Sequence, residues 1–237
     1  MVAQAEIRPE RESDQEMIRR VQTAAFGDDG VVARLVDALR AASAPLPPLS
    51  FVATVAGEAT VAGDADGQVA GHVMLSASRL DAPRRLVDVY VLSPLGVLPE
   101  FHGRGIGTRL VEHALAAGEG RVPLVFMEGN PAYYGTRGFE RADELGYRSP
   151  SLRIPPPAFQ VARLPGYETW MTGTLVYSET FWALDCVGLR DHQALWRRAA
   201  APRWLIARAG RHKRHKWIRQ RCPGSDGSWM PLSRHAF

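Results

Sequence analysis

The chain has 237 residues and a mass of 26.1 kDa, 46% of it apolar and 23% charged, which suits one large folded domain or two small ones and excludes disordered and collagen-like classes. Its longest charge-free stretch, 41–57, contains Pro45, Pro47 and Pro48 and falls short of the roughly 20 apolar residues of a membrane span, so no transmembrane helix is expected. The net charge of +4 is unevenly spread: residues 191–237 hold 11 Lys plus Arg against Asp191 and Asp226, whereas residues 1–190 hold 18 basic and 23 acidic groups.

At the N-terminus, Glu6 and Glu10 stand where a secretory signal needs its apolar run, so a cytoplasmic protein is expected. Residues 5–8 read as a short strand, followed by a helix with Met17, Ile18, Val21 and Phe26 at near-helical spacing. A second helix carries one apolar stripe, Val31, Val32, Leu35, Val36 and Leu39, so both helices should cover a sheet face. Residues 49–56, 68–78 and 86–97 are β-rich runs separated by turn residues, the pattern of an antiparallel meander. A helix over 106–117 should bury Leu110, Val111, Ala114 and Leu115, and 122–127 reads as a short buried strand. Two further β-like segments, 159–164 and 173–177, complete an α/β organisation without internal repeats.

The most informative segment runs from Val97 to Leu110, where a strand passes through a glycine-dense turn into an amphipathic helix. The first amides of a helix lack internal partners and the helix dipole adds positive charge there, so the start of this helix suits a diphosphate. Gly103, Gly105 and Gly107 remove side chains that would hold a phosphate away from those amides, and Arg104 or Arg109 can add a charge-assisted contact. The order is not GxGxxG, and no Gly-Lys-Ser or Gly-Lys-Thr follows, so neither common nucleotide motif applies. Upstream, Pro94 lacks an amide hydrogen and Gly96 lacks a side chain, which predicts a bulge or an opening in the ladder of that strand. Downstream, 130–139 reads as a short helix with Pro131 in its first turn, closed by Gly138.

The basic C-terminal segment also holds Trp196, Trp204, Trp217 and Trp229 and both lysines of the chain, Lys213 and Lys216. Cations interleaved with indoles suit nucleic acid or an anionic membrane surface, and a merely solvated extension fits the same composition. Cys186 and Cys222 lack the spacing of a disulfide framework or a zinc site, and no metal is expected. Cys186, Met74 and Met127 read as core residues.

These motifs resemble the GCN5-related N-acetyltransferase (GNAT) family, in its bacterial YhbS-like branch. The family's acetyl-CoA signature, Gln or Arg, two variable residues, Gly, one residue, then Gly or Ala, is matched from His102 to Gly107, with His102 at the Gln or Arg position. The family's later Tyr, four residues before a Gly-Phe pair, is matched by Tyr134 with Gly138 and Phe139. The resemblance covers about residues 5–190 and implies a GNAT domain over 1–190 followed by a basic extension over 191–237. It also implies a mixed, mostly antiparallel central sheet, flanked by helices and splayed at the acetyl-CoA site.

By the same resemblance the reaction is direct transfer of acetyl from a CoA thioester to an amine of a small molecule or of a protein or peptide, with no metal and no membrane partner. Leu95, Gly96 and Val97 would pair with the pantetheine arm, and a main-chain N–H there would polarise the thioester. His102, Gly103, Arg104, Gly105, Ile106, Gly107, Thr108, Asn130 and Tyr133 complete the implied contacts to acetyl-CoA. Tyr134 is the implied acid for the leaving thiolate. For the base that deprotonates the amine, Ser93, Glu128, His72 and relayed water stay open. A second class of function also stays open, a non-catalytic acyl-CoA-binding or regulatory module whose basic tail contacts nucleic acid.

Overall fold

Two long runs of alternating apolar residues, 68–81 and 86–97, pair into the hairpin around which the other elements are laid. The computed structural model describes residues 5–27, 30–56 and 67–188. The basic tail and every reading attached to it lie outside the described residues. In chain order the elements are β1 (Glu6–Pro9), α1 (Gln15–Phe26), α2 (Val31–Ala41), β2 (Leu49–Val55), β3 (Gln68–Asp81), β4 (Leu86–Val97) and α3 (Ile106–Gly118), then β5 (Leu124–Glu128), α4 (Pro131–Tyr134), β6 (Glu140–Arg141), β7 (Tyr147–Arg148), β8 (Phe159–Arg163), β9 (Gly173–Val176) and α5 (Glu179–Ala183). Among the described residues no helix is long and apolar enough to cross a membrane.

The strands form one sheet in the order β1-β2-β3-β4-β5-β8-β6, with β9 pairing both β3 and β7. Pairing is antiparallel except between β4 and β5 and between β7 and β9. This is the mixed, mostly antiparallel sheet expected from the sequence.

Because side chains alternate across a strand, each central strand feeds two cores. Val87, Val89 and Val91 of β4 face the side covered by α1 and α2, where Ile18, Val21, Leu35, Val36 and Leu39 are buried. Tyr90 and Leu92 face the opposite side, against Ile106, Leu110, Val111 and Ala114 of α3. Burying an aliphatic side chain of this size contributes on the order of 1.5–3 kcal/mol, so the three amphipathic helices are held mainly by the sheet.

The structure adds two features that local pattern does not announce. Strand β9 adds to the far end of β3, pairing Thr174–Val176 with residues 79–81, and β7 pairs beside it. Strands β6 and β7 are two residues each, too short for any periodicity to register. Strand β5 begins at Leu124 rather than Val122, as expected where Pro123 cannot donate to a ladder.

Candidate active site

The sheet opens between β4 and β5. Their parallel register holds only at Tyr90 with Val125 and Val91 with Phe126. Beyond it β4 bulges, since Leu75 faces Leu92 while Val73 faces Leu95, which puts one extra residue of β4 at the Ser93-Pro94 step. Strand β5 continues to Glu128 but pairs there with β8 on its other edge. Leu98 donates its N–H to Ala70 O at 2.9 Å. Alternation along the strand therefore turns the backbone groups of Leu95 and Val97 away from β3 and into the gap. The gap holds a cavity of about 370 Å³, walled by Ala25 and Phe26 of α1, the β4 bulge, Met127 to Gly129, and Tyr133 and Tyr134.

At one end of this cavity lies the start of α3. The first bond into the helix is Arg109 N–H to Gly105 O at 3.1 Å, so the amides of Ile106, Gly107 and Thr108 have no acceptor in the helix. Gly103 and Gly105 take φ values of +74° and +76°, and a Cβ at either would meet nothing within 4 Å. Glycine is required there by backbone conformation, and the space in front of the turn is open. Gly105→Ala should cost about 1–2 kcal/mol through its left-handed φ and lower the melting temperature by several degrees in a thermal unfolding experiment. Gly107 serves differently: a Cβ there would strike the Tyr133 hydroxyl, so its bare backbone is what lets that phenol approach the helix.

The other expected contacts fall on both sides of the cavity wall. Leu95, Val97, His102, Gly103 and Gly107 line it, whereas Gly96, Arg104, Gly105, Ile106, Thr108 and Asn130 do not. Gly96 lies beneath Gln22 of α1, whose side chain a Cβ at 96 would meet at 2.7 Å. The His102 ring turns back on the strand, Nε2–H donating to Val97 O at 2.8 Å. Arg104 donates to Glu100 O at 3.0 Å and lies over the Phe101 ring. Arg109 is drawn off to the carbonyl of Ala5, so it does not serve the helix start as the sequence suggested. Ile106 is core. Asn130 is the N-cap of α4, accepting from Ala132 N–H at 2.9 Å.

Tyr134 is buried with its ring set edge-on against Tyr133 and Phe139, at centroid distances of 4.8 and 5.8 Å. A Cβ on Gly129 would come within 2.6 Å of the Tyr134 ring, so that glycine gives the ring its seat at the cavity. Burial pushes the phenol well above its ordinary pKa, Tyr133 adds to the rise, and Arg137 opposes it. Tyr134 therefore stays protonated and able to donate across the physiological range.

Of the three side-chain bases considered, Glu128 and Ser93 line the cavity and His72 does not. His72 is fully buried between Gln22, 2.7 Å from Nδ1, and Ser50, 2.9 Å from Nε2, and Ser50 donates onward to Glu10. Burial depresses its pKa, leaving a neutral ring inside a structural network. The Glu128 carboxyl is buried although the residue keeps some exposed surface at the strand end. Tyr177 O–H donates to Oε1 at 2.8 Å and Gly188 N–H to Oε2 at 3.1 Å. Burial raises its pKa to about 7 against the lowering effect of those two donors and of Arg153. Sequence reasoning missed both donors, 49 and 60 residues away along the chain. It also missed Arg137, although the residue stands inside the 130–139 motif. Met74 and Met127 are core as expected, and Cys186 is half-buried. Among the described residues no group of three His, Cys, Asp or Glu is placed to hold a metal ion.

Comparison with known proteins adds the following. Residues 34–139 match the model of the Acetyltransferase (GNAT) family. The chain is 33% identical over 143 residues, 58% of its length and 71% of the relative's, to the uncharacterized N-acetyltransferase YjhQ of Escherichia coli (strain K12). Among solved structures, the GNAT family N-acetyltransferase YhbS from Escherichia coli in complex with CoA matches with a TM-score of 0.61 at 28% identity, covering 76% of this chain and 93% of that one. A GNAT family acetyltransferase from Brucella melitensis in complex with acetyl-CoA matches with a TM-score of 0.57 at 29% identity, covering 76% of this chain and 99% of that one.

Proposed function

The chain belongs to the GNAT family of acetyltransferases, and from that premise we propose that it transfers acetyl directly from acetyl-CoA to an amine bound in the cavity between β4 and β5. The observation that carries this reading is the gap itself. It presents the outward backbone of β4 at Leu95 and Val97 along one wall, ends at the first turn of α3, whose opening amides have no acceptor in the helix, and is lined by Tyr134 and Glu128. We place the reaction in the cytoplasm and take the acceptor to be a small-molecule or peptide amine.

In this reading the pantetheine arm of the substrate lies along Leu95 and Val97 like an added strand, and its diphosphate sits on the amides that follow Gly103 and Gly105. Leu95 or Val97 N–H, aimed into the gap, donates a hydrogen bond to the thioester oxygen as it becomes anionic. Glu128 takes the proton of the amine, whose nitrogen attacks the carbonyl carbon. The C–S bond breaks, and Tyr134 O–H protonates the leaving thiolate. Burial that raises the phenol's pKa also raises that of a thiolate leaving into the same cavity, so both shift in the same direction. The two titrating groups are thereby kept in opposite roles, a phenol that stays protonated and a carboxyl that ionises near neutrality.

The test is calorimetric titration with CoA and acetyl-CoA, followed by a screen of amines, polyamines, aminoglycosides and peptides for CoA release. Saturable heat with both thiol and thioester is expected, and release with at least one amine class. Absence of heat with either overturns the donor assignment.

A further inference from the structure

The sequence nominates three side chains of the glycine turn for the diphosphate, and the structure engages all three elsewhere. His102 is bonded to Val97 O, Arg104 to Glu100 O, and Arg109 to Ala5 O. A different guanidinium reaches the first turn of α3. Arg137 Nε donates to Thr108 Oγ1 at 2.9 Å, and Nη1 donates to Tyr133 O and, at 3.0 Å, to Thr136 Oγ1. Its plane lies over the Tyr133 ring, with Cζ 3.7 Å from the centroid, and the Tyr133 hydroxyl rests against Gly107. Among the described residues Nη2 makes no hydrogen bond.

We propose that Arg137 is the anion-gripping side chain of this site, supplying the cation that holds the diphosphate of the CoA substrate against the amides of Ile106 to Thr108. The proposal rests on the acetyl-CoA reading above and adds to it a residue from a different loop. Thr108 fixes the guanidinium at the helix start. The Tyr133 ring holds the guanidinium by cation–π attraction, which leaves the N–H groups of Nη2 to meet phosphate oxygens in charge-assisted hydrogen bonds. The amides supply fixed dipoles and Arg137 supplies the full charge that the turn itself does not direct there.

The experiment compares wild type, Arg137→Gln, Arg137→Lys and Thr108→Val by titration with CoA, dephospho-CoA and pantetheine, the last by NMR. Loss of a charge-assisted contact should weaken Arg137→Gln for both CoA and dephospho-CoA by about 10- to 100-fold. Pantetheine, which has no diphosphate, should bind wild type and variant alike. Lys at 137 should recover part of the loss, and Thr108→Val, with the arginine intact but without its tie to the helix start, should show a smaller loss of the same pattern. Equal CoA affinity in Arg137→Gln and wild type overturns the proposal and leaves the donor reading standing. A loss with CoA that vanishes with dephospho-CoA moves the charge to the 3′-phosphate and also overturns it. Wild type that binds no CoA overturns the donor reading itself.

Discussion

Replacing Tyr134 by Phe should lower kcat by about 10²- to 10³-fold while leaving the affinity for CoA unchanged. The substitution is structurally mild. The ring is fixed by Tyr133, Phe139 and the bare backbone of Gly129, and all three contacts survive in Phe. What is lost, in the proposed mechanism, is the proton donor for the thiolate, a need that arises only as the C–S bond breaks. An interaction made only in the transition state appears in kcat and not in ground-state binding. Steady-state kinetics with the best acceptor from the amine screen, together with CoA titration of the variant, check both halves. Wild-type kcat in Tyr134→Phe would remove Tyr134 from the mechanism. The loss should also be uniform across the neutral range, because burial keeps the wild-type phenol protonated there. Tyr133→Phe is the contrasting variant: it removes the hydroxyl that rests on Gly107, and in the proposed mechanism its effect should fall on donor binding rather than on kcat.

The parts of the fold that could be read from the sequence are those specified by contacts near in the chain. The α1, α2 and α3 stripes, the β3–β4 hairpin and the glycine turn each carry their own periodicity or backbone requirement, and each is found within a few residues of its expected bounds. The bulge of β4 was legible too, because Pro94 cannot donate to a ladder, whereas Gly96, expected to weaken the same strand, pairs with His72 in the β3 ladder. The additions at the sheet's edges were not. The pairing of β9 with β3 joins residues almost 100 positions apart, and no local signal distinguishes it from pairing with any other edge. The same holds within the site. Tyr134 is announced by its motif, whereas the value of Glu128 depends on Tyr177 and Gly188, which only the tertiary fold brings to it. Arg137 lay inside a motif in full view, but which arginine faces the helix start depends on where Thr108 and the Tyr133 ring stand, and sequence spacing does not fix that.

Glu128→Gln should remove the acid limb of the kcat/KM profile and lower its plateau by about 10²-fold. In wild type the limb should centre near the carboxyl's pKa of about 7, with activity falling below it as the base is protonated. Tyr177→Phe should move the limb upward, since the Tyr177 hydroxyl stabilises the carboxylate and so opposes the effect of burial. A purely structural role for Tyr177 would leave the limb in place. Stability should respond to the same group with a defined sign. A carboxyl raised from 4.5 to about 7 on folding binds its proton more tightly in the folded state. Its contribution to stability is therefore full below pH 4.5 and is lost as pH rises through 7. The ionised form at pH 8 thus costs up to about 3 kcal/mol relative to the protonated one. The lowered carboxyls Glu10, Asp14 and Asp37 act in the opposite direction, and they do so equally in variant and wild type. The difference in melting temperature between pH 5 and pH 8 should accordingly change by up to about 10 °C on Glu128→Gln, in the direction of relative stabilisation at pH 8. A variant that keeps the wild-type pH dependence of both activity and melting would show that this carboxyl neither ionises near neutrality nor serves as the base. The proton of the amine would then leave through water. The cost of holding a carboxylate at the end of β5 and its proposed use as a base have one physical cause, burial at the strand end, so the two measurements should change together.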